Sequence, residues 1–577
     1  MRISLSSQIQ CLIALVTALS FAANLGQTLS SCQAQDVEVE KPSEDTGDDP
    51  DGKPANDASP APKVDSPKQS VPEKSAKPTA QKANEPMATG RVFLDSNNDG
   101  KFNEGDQPFV NVRVSNGKEI VQTDDSGTWK LPLEEDAIFF LIKPSGYQSK
   151  LSENKLPRFY YIHKPNGSPK LRFPGSKPTG ALPESIDFPL YPSDEPEDFQ
   201  ILLFGDPQPR NTQEVDYIAH DVISQLIGDN SSTFGVTLGD IAFDNLDTFK
   251  PLNQAIALIG IPWHNVIGNH DLNLDAKTRK HINETFEATY GPTYYSFDYG
   301  QVHFVVLDNI DWGMKRNRNG YIANFGERQR EFLKKDLELI PESQMVVLLM
   351  HVPFLDCKDH QEMFRLIEDR PFCVSVSAHR HVHTHQFFGK KEGWKGDKDH
   401  HHIINVTVSG SWWSGARNDR GIPHSTMTDG APNGYSIMSF TNGQYMLDFR
   451  GAGIPAAEQM LIQLPDVVQP DSTSDFWVNV YNGSSKSKVE FAIDDSSDWK
   501  MIERKEAADP NFVRMYTLES QVKPPIEPKL KSPNRSSHLW KGKLPKALET
   551  GTHLIRVRTT DMHGRVFYGQ RSFRVKK

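Results

Sequence analysis

The chain has 577 residues, a formal net charge of −11 and 37% hydrophobic residues. At about one domain per ~150 residues it is too long for a single core and predicts three or four folded units. An acidic balance with no basic patch excludes nucleic acid as a general partner, because phosphate backbones are held by clustered Lys and Arg.

Residues 1–34 open with Arg2, continue through an apolar run from Cys11 to Ala23, and end in small residues around Ala34. That run is too short to span a bilayer and has the anatomy of a signal peptide, so export to the periplasm or beyond is expected. Two alternatives stay open: an uncleaved anchor, and a lipid anchor on Cys32 in "LSSC". No later run is long enough for a transmembrane helix. Residues 35–88 are rich in Pro, Lys, Glu, Asp, Ser and Ala and nearly free of aromatics, which predicts a disordered linker. Beyond the leader only Cys357 and Cys373 remain, and their pairing stays open.

Residues 89–192 carry short alternating runs at 91–94, 110–114, 120–123 and 128–131 separated by Asn-Gly and Ser-Gly turns, the pattern of a β-sandwich-like domain. Within it, "DSNNDGKFNEGD" places oxygens at positions 1, 3, 5 and 12 through Asp95, Asn97, Asp99 and Asp106, with Gly100 at the turn. This is a candidate calcium loop, with a plain Asp-Gly turn as the alternative.

From 198 to 450 apolar strands ("FQILLFGD", "TFGVTLGD", "PWHNVIGNHD", "VHFVVLDN", "MVVLLMHVP") alternate with helical patterns, including 214–227 and 327–339. Strands buried on both faces and alternating with helices predict an α/β core. Residues 453–577 return to β character and predict a second small β-sandwich.

Polar residues cluster at the ends of the apolar strands, where open α/β sheets place their sites. In order they are Asp206 and Gln208 in "GDPQ", Asp240 and Asp244 in "GDIAFD", Asn269, His270 and Asp271 in "GNHD", His351 in "MHVP", and His379 and His381 in "AHRH". Each alone reads equally well as a helix cap, a turn or a structural histidine. Together they supply the oxygen and imidazole ligands that divalent transition metals take.

With these blocks the segment 198–450 resembles the calcineurin-like metallophosphoesterases, and its flanks resemble the bacterial subgroup with dedicated N-terminal and C-terminal β domains. The resemblance implies a central two-sheet αββα domain and two divalent ions (Mn, Fe or Zn). Asp206, Gln208 and His381 would hold one ion, Asn269, His351 and His379 the other, and Asp240 would bridge them. His270 would act beside the scissile phosphate as acid or as stabiliser of the leaving oxygen, with Asp271 fixing its orientation. The implied reaction is hydrolysis of a phosphomonoester or phosphodiester by metal-bound hydroxide, on a phosphorylated small molecule or cell-envelope component. Two cations about 3.5–4 Å apart suit such an in-line displacement.

Three departures from the family pattern stand out. Gln208 occupies a position where many members have His, Asp244 lies one residue later than in the short form of its motif, and Ala378 replaces Gly before the histidine pair. Rival readings are a nucleotide-diphosphate pyrophosphatase or a Ser/Thr protein phosphatase on the same centre, and, outside the enzymes, an inactive surface-binding protein.

Other residues have two readings each. His383 and His385 continue the alternation after His381, which predicts a polar strand leaving the site. His400 to His402 read as a solvated loop. Arg210 is a candidate phosphate contact or one half of a surface ion pair. Trp412 and Trp413 line the pocket or pack the core, and His303, inside an apolar strand, reads as a satisfied buried histidine.

Overall fold

The computed structural model describes residues 86–228, 231–312, 320–470, 473–546 and 548–577. The leader and nearly all of the expected linker lie outside these residues.

In chain order the strands that carry the site are β1 (Phe199–Phe204), β2 (Phe234–Leu238), β3 (Trp263–Val266), β4 (Tyr295–Tyr299), β5 (Val302–Val306), β6 (Met345–Leu349), β7 (Cys373–Ser377), β8 (Thr384–Phe388), β9 (His400–Ile404), β10 (Gly434–Thr441) and β11 (Gln444–Gly451). They form a five-stranded sheet in the order β3-β2-β1-β10-β11 and a six-stranded sheet in the order β4-β5-β6-β7-β9-β8. Strands β1, β2 and β3 are mutually parallel, as are β5, β6, β7 and β9.

The alternation of side chains across these strands sets the layers. Ile201, Leu203, Val236, Phe304, Val347 and Val374 meet in one apolar cluster between the sheets. Leu202 and Phe204 face outward onto Ile218 of helix α1 (Thr212–Asp221) and Leu252 of α2 (Phe249–Ile256). On the far side, Val346 and Leu348 meet Leu333 of α3 (Glu327–Glu338) and Phe364 of α4 (His360–Ile367). Strands covered on both faces explain why "FGVTL" and "MVVLL" are apolar throughout and buried at every position. Helix α1 stops well short of the expected residue 227 and passes into a 3-10 turn, Ile223–Gln225.

The preceding strands, Met87–Leu94 through Phe188–Pro192, form a five-stranded and a four-stranded sheet. Their apolar residues Val92, Trp129, Phe139 and Leu190 belong to the same cluster as Val347 and Phe304. Arg113 is tied to Asp298 and Asp336 at 2.5 and 3.1 Å. His303 sits between the same two carboxylates at 2.7 and 2.9 Å, so it is satisfied as expected. Burial disfavours its cation, yet Asp336 and Asp298 hold its pKa up at about 9.

After β11, two sheets face each other across Val478, Phe491, Trp540, Val557 and Phe573. This segment also carries a helix that its β-rich sequence did not announce, α5 (Pro510–Glu519). Its start was legible in hindsight: Asp509 accepts from the Phe512 amide, and Pro510 fills the first turn. Among the described residues no helix is long and apolar enough to cross a membrane.

Candidate metal centre

Every expected ligand lies just past the C-terminal end of a strand: Asp206 and Gln208 after β1, Asp240 after β2, Asn269 after β3, His351 after β6, and His379 and His381 after β7. Asp206, Gln208, Asp240, His379 and His381 all have left-handed backbone, with φ between 33° and 69°. Non-glycine residues avoid that region, and its clustering around one site marks a backbone held by its surroundings. Two glycines let the loops close. A Cβ on Gly239 would sit 2.4 Å from His351 Nδ1, and one on Gly268 would sit 2.1 Å from the Asp240 amide nitrogen.

Three imidazoles are each fixed by one ring nitrogen and present the other inward. His351 Nδ1 donates to the Leu238 carbonyl at 2.9 Å. His379 Nε2 lies 3.1 Å from the Tyr321 hydroxyl, and His381 Nδ1 bonds the Gly410 carbonyl. Such outer bonds select the tautomer and orient a ligating imidazole. Inward, His351 Nε2 lies 3.1 Å from Asn269 Oδ1, 3.2 Å from Asp240 Oδ1 and 3.2 Å from His379 Nδ1. His381 Nε2 stands 3.1 Å from Asp206 Oδ2. The two oxygens of Asp240 face different neighbours, Oδ1 the His351 side and Oδ2 the Gln208 amide at 2.6 Å.

This donor set fits a bound cation. With the outer nitrogens donating, the inner atoms are lone pairs directed at lone pairs, which a positive charge must separate. Asp206 Oδ2 and Gln208 Oε1 are fully buried and accept no hydrogen bond, an arrangement that costs several kcal/mol per group unless a cation fills it. Asp240, His351 and His379 place ligand atoms within 4.8 Å of one another. Without a metal, burial opposes charge on His351, but Asp240 beside it and the bond they share raise its pKa to about 9, so a bound cation would take the place of that proton. Burial and the neighbouring His351 push His379 well below the imidazole range, leaving it neutral as a ligand must be.

His270 lies beside this cluster, its amide donating to Asp240 Oδ1 at 2.9 Å, and one expectation about it changes. Its Nδ1 bonds Asp244 Oδ1 at 2.8 Å, so Asp244 orients it and Asp271 does not. Asp271 is fully buried and accepts from the amides of Gly268, Ile241 and Ala242, which clamps the β2 loop to the β3 loop. Burial and repulsion from Asp240 lift Asp271 to about 7, against those three amides. Burial lowers His270, but Asp240 and Asp244 outweigh it and raise its pKa to about 9. Its ring is stacked on Phe243 at 4.3 Å.

Family models match segments on either side of this set. Residues 96–177 match the model described as the N terminal of calcineurin-like phosphoesterase, and residues 401–567 match the C terminal of calcineurin-like phosphoesterase. The chain belongs to the calcineurin-like metallophosphoesterase superfamily. Its members are hydrolases acting on phosphoesters, and their chemistry is metal-dependent. Among solved structures the metallophosphoesterase is similar to the purple acid phosphatase PPD1 of yellow lupin (Lupinus luteus), with 13% identity over 59% of this chain and 66% of that one, just under two thirds, at a TM-score of 0.33. A second similarity, to the sulfane dehydrogenase SoxCD of Paracoccus pantotrophus, has 11% identity over 30% of this chain and 34% of that one, at a TM-score of 0.12. Scores this low establish no shared fold. No curated protein matches the chain.

The remaining histidines of this metallophosphoesterase take other places. His379 and His381 do not share a face of an extended segment, because the backbone turns left-handed at both, between the end of β7 and the start of β8. His383 and His385 both bond the Asn482 side chain, at 2.9 Å each. His400, His401 and His402 form part of β9 and are buried, which corrects the solvated loop. Ser375 bonds both His400 and His402 at 2.7 Å, so the polar atoms that suggested solvent are satisfied internally.

Arg210 is engaged by Glu214 at 3.0 Å and donates to the Trp412 carbonyl at 3.0 Å. Trp413 is buried in the core, whereas Trp412 stacks on His381 at 3.7 Å. In the candidate calcium loop, Asp95 accepts from the Asp99 and Gly100 amides and Tyr191, and Asp106 accepts from the Ser96 and Asn103 amides. These are the bonds of a tight Asx-type turn. Cys357 and Cys373 are both free thiols. Trp412 thus takes the pocket-lining reading and Trp413 the core one, whereas Tyr321 and Phe243 carry no sequence signal, since a lone aromatic has no spacing pattern.

Proposed function

We propose that the protein is an exported phosphoester hydrolase with two divalent metal ions, acting on a phosphorylated small molecule or cell-envelope component. The observation that carries this reading is that Asp240, His351 and His379 place ligand atoms within 4.8 Å of one another, while His381 Nε2 stands 3.1 Å from Asp206 Oδ2 and the buried Asp206 Oδ2 and Gln208 Oε1 accept no hydrogen bond. Asp206, Gln208 and His381 would hold one ion and Asn269, His351 and His379 the other. Asp240, whose oxygens face opposite groups, is the residue to bridge them. When bound, the cations supply Lewis-acid activation of water and of the phosphoryl oxygens.

The protein groups do the rest. With Nδ1 held by Asp244, whose charge favours the imidazolium, His270 would keep a proton at Nε2 for delivery to the leaving oxygen. Phe243 packs its ring face and restricts its tilt. Asp271 keeps the two ligand loops at a fixed spacing through their amides. Export is supported by the apolar run and small residues of 1–34.

The test is phosphate release from p-nitrophenyl phosphate, its bis ester and a nucleotide-diphosphate sugar with added Mn²⁺, alongside metal analysis. Activity on either ester with about two equivalents of metal is the expected result. Less than about half an equivalent, with no turnover after Mn²⁺ or Fe addition, would sink the hydrolase reading, and preference for the nucleotide sugar would favour the pyrophosphatase.

A further inference from the structure

One flank of the metal cluster is built by the segment that follows α5. Trp412 lies on the loop after β9, its ring stacked on His381 and its carbonyl held by Arg210. Its own backbone is left-handed at φ 58°, so neighbouring contacts fix the ring. The ammonium of Lys531 stands 5.2 Å from the centre of that ring. Lys531 is half-buried, and among the described residues no carboxylate lies within ion-pair distance of it. By contrast Lys143, Lys164, Lys335 and Lys541 each have a carboxylate within 2.8 Å.

Lys531 does not reach the site on a loose tail. The Gly415 amide donates to the Pro528 carbonyl at 2.9 Å, and the Asn534 amide donates to the Thr428 carbonyl at 2.9 Å. Glu519, at the end of α5, accepts from the Ala416 amide at 3.2 Å and bonds His424 at 2.9 Å. The segment 519–534 is thus pinned on both sides of Lys531 to the loop that carries Trp412. An ammonium left without a counter-ion, stacked on an aromatic ring that touches a metal-ligand histidine, is a prepared anion contact.

We propose that Lys531 is a specificity-determining residue that binds a second anionic group on the substrate, beyond the phosphoryl group at the metals. The substrate class is therefore a phosphoester that carries a second phosphate or carboxylate. This rests on the proposed hydrolase reading only for where the first phosphoryl group binds. Arg210, on the same loop carbonyl, is already neutralised by Glu214 and cannot take this role without losing that partner.

The experiment is calorimetric binding to the Mn²⁺-loaded protein, comparing propane-1,3-bisphosphonate with propylphosphonate, neither of which has a P–O–C bond to hydrolyse. The wild type should bind the bisphosphonate at least tenfold tighter. Lys531→Met should bring the ratio of the two dissociation constants to within about twofold, and Lys531→Glu should invert it. Each variant is to be compared at an unfolding midpoint close to that of the wild type. A ratio near one in the wild type, or one that Lys531→Met leaves intact, overturns the proposal. Phosphonates that bind with the expected ratio while no ester is turned over would leave Lys531 assigned and remove the hydrolase reading.

Discussion

Replacing Asp244 by Asn removes one negative charge from the outer nitrogen of His270 while keeping the shape of the side chain. The bond is 2.8 Å long, and the Asp244 side chain is 41% exposed. At ~4 Å between charge centres the attraction runs from about 1 kcal/mol in water to about 4 kcal/mol near a protein surface, and exposure places this pair at the lower end. One to two kcal/mol corresponds to about one pKa unit. His270 is raised by Asp240 and Asp244 together, so its protonated form is present below its folded pKa and is lost as pH rises through it. If His270 donates the leaving-group proton, kcat/KM falls along a basic limb, and Asp244→Asn should move that limb about one unit toward lower pH. The assay is the pH profile of kcat/KM for p-nitrophenyl phosphate between pH 5 and 10. A limb that does not move, with only a uniform loss of rate, would refute His270 as the proton donor oriented by Asp244.

Three further outcomes are expected. Asp240→Asn should lower turnover by at least ~100-fold and lower the bound metal, since even outer partners of metal ligands are worth ~10–100-fold; phosphate release with metal analysis reads both. Gly239→Ala forces a Cβ against the His351 ring at a residue with φ 88°, so it should cost about 1–3 kcal/mol by denaturant unfolding and displace the metal. His303 has a folded pKa of about 9 against an unfolded value near 6.5, so its contribution to stability is fully present below about pH 6.5 and lost as pH rises through 9. Replacing it by Gln should destabilise on the order of 3 kcal/mol at neutral pH and flatten the fall above pH 8; an identical slope in wild type and variant would dismiss the network.

The ligand set was legible in the sequence because each member is a polar exception at the end of an apolar strand. Burial on both faces leaves the strand ends as the place where Asp206, Asp240 and His351 stand out. The support of those ligands was not legible. Asp271 looks from its position like the partner of His270, but its carboxylate turns to three amides of its own and a neighbouring loop, and Asp244 takes the histidine. Strand alternation does not extend through His379 and His381, because period two holds only while φ stays negative, and here it reverses. Composition misled at His400 to His402: three histidines read as solvent-facing, yet Ser375 and Ser377 bond His400 and His402, and His385 and the Tyr445 hydroxyl bond His401, which allows all three inside a sheet. The helix Pro510–Glu519 was masked by the β texture around it, although its cap and its proline were in plain sight.

The left-handed backbone shared by Asp206, Gln208, Asp240, His379 and His381 also bears on how the site would respond to its ions. Each such residue lies of order 1–2 kcal/mol above the right-handed alternative, and the sheets beneath must restrain all five whether or not a cation is present. A cradle restrained in that way does not collapse when emptied. Any metal held there should therefore exchange without unfolding the chain.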